Sequence, residues 1–212
     1  MQQYNSTIYW HFTGSPDNID WGKVSQPHDI LAEGKPKDEE QAAGILERIL
    51  KSRKILSSCS ESIFGEMKTM EFCSVCDIPL KDLYFHAEYY GKVAIGFRPA
   101  KIHSHFNPVL YLDGEKMAGP MLQKELHAIQ NQLNGHSILL SLIKKTLFSE
   151  NSNRTFYRER EWRHFGPFHF TPEDVAAIII PGNFFSRIRN LLLADGYPEN
   201  ISMVSWDVVK KV

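Results

Sequence analysis

The stretch RTFYREREWRHFGPF, Arg154 to Phe168, sets Glu159 and Glu161 one residue apart among arginines, with Trp162 directly after them. If this stretch is extended, side chains alternate between faces. Tyr157, Glu159, Glu161 and Arg163 then share one face, while Arg158, Arg160 and Trp162 share the other. Two carboxylates project together. One reading is a solvated edge strand whose alternating charges resist pairing with a foreign edge. The other is a carboxylate pair in a cleft, and the rest of the chain has to separate the two.

Working outward, VAAIIIPG follows as a buried strand, then NFFSRIRNLLLADG as a helix ended by Gly196, then ISMVSW as a last strand. Upstream, Pro120 to Phe148 has helical spacing, with Asn134 to His136 marking a break between two helices. KVAIGF and NPVLYL read as strands joined by the histidine-bearing loop RPAKIHSHF, and KDLYFHAEYYG as a short helix closed by Gly91. EMKTMEFCSVCDIPL reads as a strand ending near Pro79. Asp38 caps a helix expected to reach about Ser57, its first turn carrying Glu39, Glu40 and Gln41. TIYWHFTG is a strand rich in aromatic and β-branched residues that places Ile8, Trp10 and Phe12 on one side and Tyr9, His11 and Thr13 on the other. Between these two elements, residues 14–37 are dense in Pro, Gly, Asn and Asp, as expected of a mobile loop insertion covering a site. Strands at both ends with helices between them favour α+β over a doubly wound parallel sheet.

The 212 residues are 42% hydrophobic, enough for a single domain with a sizeable core. With 24 Lys+Arg against 25 Asp+Glu, no global field draws the chain to nucleic acid or to an anionic membrane, so nucleic-acid binding would need a local basic patch. No apolar run is long enough to span a bilayer and the polar start MQQYNSTIYW lacks a secretion signal, which points to a cytoplasmic protein. Cys59, Cys73 and Cys76 are an odd set. Cys73 and Cys76 form a C-x-x-C without a second pair, so we expect no metal and read them as small apolar residues on a strand. His103 and His105 have metal-compatible spacing but no neighbouring carboxylate pair in sequence. P-loop, Rossmann, zincin and nucleophile-elbow motifs are all missing.

Two family resemblances remain. YWHFTG resembles the first-strand H-x-T motif of the histidine-tyrosine-glutamate class of ADP-ribosyltransferases, and especially the HFT start of DarT-type DNA modifiers, while YREREW is similar to their E-x-E strand. The ordered series HFT, FCSVCDIPL, HAEYYGKVAIGF, NPVLYL and EREWR resembles the AbiGi family of abortive-infection proteins and covers most of the chain. The second resemblance implies a phage-defence role and a toxin, antitoxin or phage-protein partner. The first implies a split antiparallel or mixed sheet with flanking helices, and NAD as substrate. It also implies that His11 and Thr13 hold the ribose and nicotinamide amide, that Tyr90 (or Tyr89 or Tyr84) packs on the nicotinamide ring, and that Glu161 stabilises the ribosyl transition state.

Physical chemistry runs parallel to that reading. Breaking the ribose–nicotinamide bond develops positive charge on the sugar, which a preorganised carboxylate such as Glu161 stabilises. Glu159 can align an acceptor or take its proton. Arg163 can neutralise a diphosphate or pair with a glutamate. The competing structural readings are a hydrogen-bonded core histidine at His11, tyrosines packing at a helix end, and glutamates held by arginines. The expectation is one α+β domain over residues 1–212 that binds NAD and transfers or hydrolyses its ADP-ribose, or else a non-catalytic antitoxin or sensor. If Tyr9, His11 and Thr13 face a site, as the transferase reading requires, their strand should lie beside the strand of Glu159 and Glu161.

Overall fold

A computed structural model describes residues 7–64, 67–114, 119–132, 137–148 and 155–211. The aromatic run Tyr9–Phe12 forms β1. Helices α1 (Pro27–Glu33) and α2 (Glu39–Ser52) follow, then β2 (Lys54–Ile55), β3 (Ser62–Phe64), β4 (Met67–Lys68) and β5 (Phe72–Cys76). Next come α3 (Leu83–Tyr90), β6 (Ala94–Phe97), α4 (Pro99–His103), β7 (Asn107–Pro108), β8 (Leu110–Asp113), α5 (Pro120–Gln132), α6 (Ile138–Ser141) and β9 (Ile143–Thr146). The chain ends with β10 (Glu161–Phe165), β11 (Phe168–His169), β12 (Val175–Ile179), α7 (Phe185–Ala194), β13 (Ser202–Val204) and α8 (Trp206–Val209).

Seven strands form the main sheet in the order β13-β12-β6-β1-β5-β10-β7, antiparallel throughout except for the β12–β13 pair. The fold is α+β with a mostly antiparallel sheet. Alternation along the strands builds two cores. Tyr9, Ile95, Phe97 and Ile178 pack with Leu46 and Leu50 of α2 and Ile188 and Leu192 of α7. Trp10, Phe12, Ala94 and Ile179 pack on the other face with Ile30 of α1, Leu83 of α3 and Trp206 of α8. Cys73 joins the first core and Cys76 the second, so the C-x-x-C spacing turns the two thiols to opposite faces of β5.

Asp38 caps α2 by accepting from the Gln41 N–H at 2.7 Å. The helix stops at Ser52, short of the expected Ser57, because Arg53 enters the left-handed region (φ 51°) and the chain turns into β2. The second expected helix before Phe148 is one turn, α6; Ile143–Thr146 is a strand instead, parallel to β8. Here pairing with β8 overrides an apolar spacing that fits a helix. The break read at Asn134 to His136 lies outside the described residues. NPVLYL divides into β7 and β8, and β7 pairs with β10. Residues 14–37 carry α1, and seat Val24 and Ile30 in the second core. Among the described residues no helix is long and apolar enough to cross a membrane.

Candidate functional site

β1 pairs with β6 along Tyr9–Phe12 but meets β5 only at Trp10↔Cys76, while β5 runs on with β10. The sheet therefore parts beyond that single pair. A cleft of about 630 Å³ opens there, lined among others by His11, Thr13, Tyr90, Glu159, Glu161 and Lys37. The expected adjacency does not form, because β5 stands between β1 and β10. Nor do the residues share one face: the register Trp10↔Cys76↔Glu161 groups Glu161 with Trp10, whereas His11 turns with Tyr9 toward the α2 side. The split lets side chains from opposite faces border one cavity.

The opening stretch is not extended throughout. Phe156–Glu159 is a 3-10 turn, begun by Thr155, whose hydroxyl accepts from the Tyr157 N–H, and ended by Arg160 at φ 46°. Glu159 therefore reaches the cleft from a turn, and Glu161 from the first position of β10, itself an interior strand between β5 and β7. Their environments differ sharply. Glu159 accepts from the Tyr90 hydroxyl at 2.8 Å. Burial pushes its carboxyl up to about 8, with Lys144 pulling against the shift and the Glu161 charge adding to it. Burial, reinforced by Glu159, also raises the Tyr90 hydroxyl well above its usual range. His86 stacks on Tyr90 with ring centroids 4.3 Å apart and stands 4.0 Å from Glu159. Burial, helped by the Lys144 charge, lowers its imidazole to about 3, which leaves it neutral at physiological pH.

Glu161 belongs to a buried charge cluster. Arg163 Nε donates to its Oε1 at 2.9 Å and Nη2 to its Oε2 at 3.2 Å, while Lys144 Nζ stands 3.6 Å from Oε2. Glu61 closes the set, accepting from Arg163 and Lys144 at 2.5 Å each. Burial alone would raise the Glu61 carboxyl; Arg163 and Lys144 outweigh it and bring it below its ordinary value. Two carboxylates thus face two cations. Arg163 is completely buried, donates also to the Ser141 carbonyl at 2.8 Å, and lies 4.0 Å over the Phe72 ring. Of its two sequence readings, the geometry matches the ion pair, since Arg163 is absent from the residues bordering the cleft. Sequence reasoning missed Glu61 and Lys144, and no local signal marks either.

His11 Nδ1 donates to the Ser74 carbonyl at 2.9 Å, and burial lowers its pKa, so the ring is neutral with Nε2 as an acceptor. The Thr13 hydroxyl donates to the Ala42 carbonyl at 2.9 Å, which ties β1 to α2. Of the three tyrosines, Tyr90 borders this cleft, Tyr89 lines a neighbouring cavity of about 540 Å³, and Tyr84 is half exposed under Lys210. His103 accepts or donates at 2.7 Å to the Tyr9 hydroxyl and stacks on Trp162, away from the cleft. Among the described residues no three His, Cys, Asp or Glu side chains gather as a metal site.

Fold and site together define an α+β protein with a split sheet, whose cleft brings a neutral histidine, a tyrosine and two unlike glutamates together. The chain belongs to the AbiGi family: the family model described as "Putative abortive phage resistance protein AbiGi, antitoxin" matches residues 52–204. This membership places it among abortive phage-resistance proteins. No curated protein matches it in sequence. Among solved structures, Thermus sp. 2.9 DarT in complex with NAD+ is similar at 13% identity and a TM-score of 0.40, over 99% of both chains. The same protein in complex with carba-NAD+ is similar at 13% identity and a TM-score of 0.41, over 95% of this chain and 96% of that one.

Proposed function

We propose that this phage-defence protein binds NAD in the split-sheet cleft and transfers or hydrolyses its ADP-ribose. One observation carries the reading: His11, Tyr90, Glu159 and Glu161 border a single cavity of about 630 Å³, within the volume usual for a cofactor-sized ligand. His11 Nε2 accepts from a ribose hydroxyl, its ring fixed by the Ser74 carbonyl. Tyr90 offers a ring edge to the nicotinamide. As the C1′–N bond breaks, its electron pair leaves with nicotinamide and the Glu161 carboxylate faces the positive charge on the sugar. The acceptor nucleophile then bonds to C1′ and its proton passes to Glu159; with water as acceptor the result is hydrolysis. A carboxyl near pH 8 suits this proton transfer, since its basic form grows as pH rises through that value.

The test is nicotinamide release from NAD across pH 6 to 9, with the candidate partner present. The proposal expects release to rise through about pH 8 in wild type and to collapse in Glu159→Gln; no release at any pH overturns it. A second reading, a non-catalytic antitoxin or sensor binding a partner protein, draws on the charge cluster. Arg163 and Lys144 already balance Glu161, which leaves less of its charge for a ribosyl cation. The antitoxin description of the family supports the same reading.

A further inference from the structure

The cleft needs a cation if it is to hold a dinucleotide, and the arginine that sequence offers for that task is buried beneath it. Among the described residues bordering the cavity, the two cations are Lys144 and Lys37. Lys144 is committed to Glu61 and Glu161. Lys37 is different. Its ammonium donates to the Ser15 carbonyl and pairs with Asp17 at 2.6 Å, both of which also border the cleft. The Lys37 side chain is only 17% exposed, while that of Asp17 is 73% exposed. The cation is therefore anchored and its counter-ion is out in solvent, where an ion pair is weak and replaceable.

The anchor extends to the proposed chemistry. Lys37 N–H donates to the Gly14 carbonyl at 2.9 Å, pinching residues 14–37 into a closed loop at the end of β1. Gly14 in turn meets Gly91 so closely that a Cβ on it would stand 2.8 Å from the Tyr90 carbonyl and 3.0 Å from the Gly91 Cα. Lys37 is thus fixed, through two glycines, to the strand of His11 and the helix of Tyr90.

We infer that Lys37 is the residue that binds the diphosphate of NAD, exchanging Asp17 for the phosphate oxygens. This rests on the NAD reading above and adds a residue to it. The exchange needs little movement, because Ser15 keeps one hydrogen bond to the ammonium while the exposed carboxylate leaves. Asp17 then acts as a competitor that an anionic ligand must displace.

The test is calorimetric binding of NAD, ADP-ribose, inorganic pyrophosphate and nicotinamide to the full chain as wild type, Lys37→Met and Asp17→Asn, at two salt concentrations. Lys37→Met should weaken the three phosphate-bearing probes by about 10- to 100-fold, the effect of losing one charge-assisted hydrogen-bonding partner. It should leave nicotinamide unchanged and flatten the salt dependence of NAD binding. Asp17→Asn should tighten the phosphate-bearing probes several-fold. A Lys37→Met protein of wild-type melting temperature that binds NAD as wild type does, with the same salt dependence, overturns the inference while the NAD reading stands. Wild type that binds pyrophosphate in a Lys37-dependent way but not NAD overturns the NAD reading and, with it, the assignment of Lys37 to the NAD diphosphate. Binding of neither probe overturns both.

Discussion

Arg163→Met tests whether the Arg154–Phe168 stretch is first of all a structural device. The substitution keeps an unbranched side chain of similar reach but leaves Glu161 and Glu61 sharing Lys144 as their one remaining cation in the cluster, at 3.6 and 2.5 Å. Arg163 is completely buried, so solvent does not screen the loss. Breaking one side of a buried ion pair costs roughly 3 to 5 kcal/mol. In a chain of about 200 residues each kcal/mol lowers Tm by about 2 to 4 °C, so the fall is roughly 6 to 20 °C. The double variant Arg163→Met/Glu161→Gln removes one charge of each sign, leaving Lys144 with Glu61. It should recover much of the loss, with a coupling of more than about 1 kcal/mol. Urea denaturation and calorimetry of wild type, both single variants and the double variant supply the cycle. A single-variant loss below about 1 kcal/mol, or a double-variant loss equal to the sum of the singles, refutes the claim that these four residues act as one neutral unit.

Glu159 gives a pH signature of opposite sign to an ordinary salt-bridged carboxylate. Its folded pKa of about 8 lies above the 4.5 of the free group, so its stabilising protonation is full below about pH 4.5 and is lost as pH rises to about 8. Glu159→Gln should therefore gain on wild type by on the order of 1.4 kcal/mol per pH unit across that window in urea titrations, and a constant difference would show that Glu159 titrates normally. Gly91→Ala should cost roughly 1 to 3 kcal/mol in the same assay, since φ is +81° and the new Cβ would stand 3.0 Å from the Gly14 Cα; a neutral result would refute the close approach of β1 and α3. Ile30→Ala should cost about 2 to 5 kcal/mol and speed proteolysis between residues 14 and 37, because Ile30 docks this segment in the second core; unchanged stability would mean the segment is not held there.

The parts legible in sequence are those whose signal is local. Tyr9–Phe12 and Val175–Ile179 announce themselves by aromatic and β-branched runs, α2 by Asp38 and its acidic first turn, and α3 and α7 by the positive-φ glycines Gly91 and Gly196 near their ends. The α+β class followed from their order. Errors arose where tertiary partners decide. Ile143–Thr146 becomes a strand only because β8 lies alongside, and the turn at Phe156–Glu159 depends on Arg160 adopting a positive φ that its sequence does not demand. His11 and Glu161 were expected on paired strands, and they border one cleft because β1 and β5 part after a single residue pair, a feature no periodicity encodes. The partners Glu61 and Lys144 lie 100 and 17 positions from Glu161, so only the folded chain assembles that cluster.

The central claim is that the split between β1 and β5 makes an NAD site, and the most direct measurement is the Kd of NAD for wild type and for His11→Ala by titration calorimetry. The account predicts saturable, one-to-one binding to wild type. Losing the ribose contact at Nε2 should weaken it by about tenfold or more in the variant, measured at a temperature where both proteins are folded. Wild type that takes up no NAD, or a His11→Ala variant that binds it as tightly as wild type, would contradict the claim.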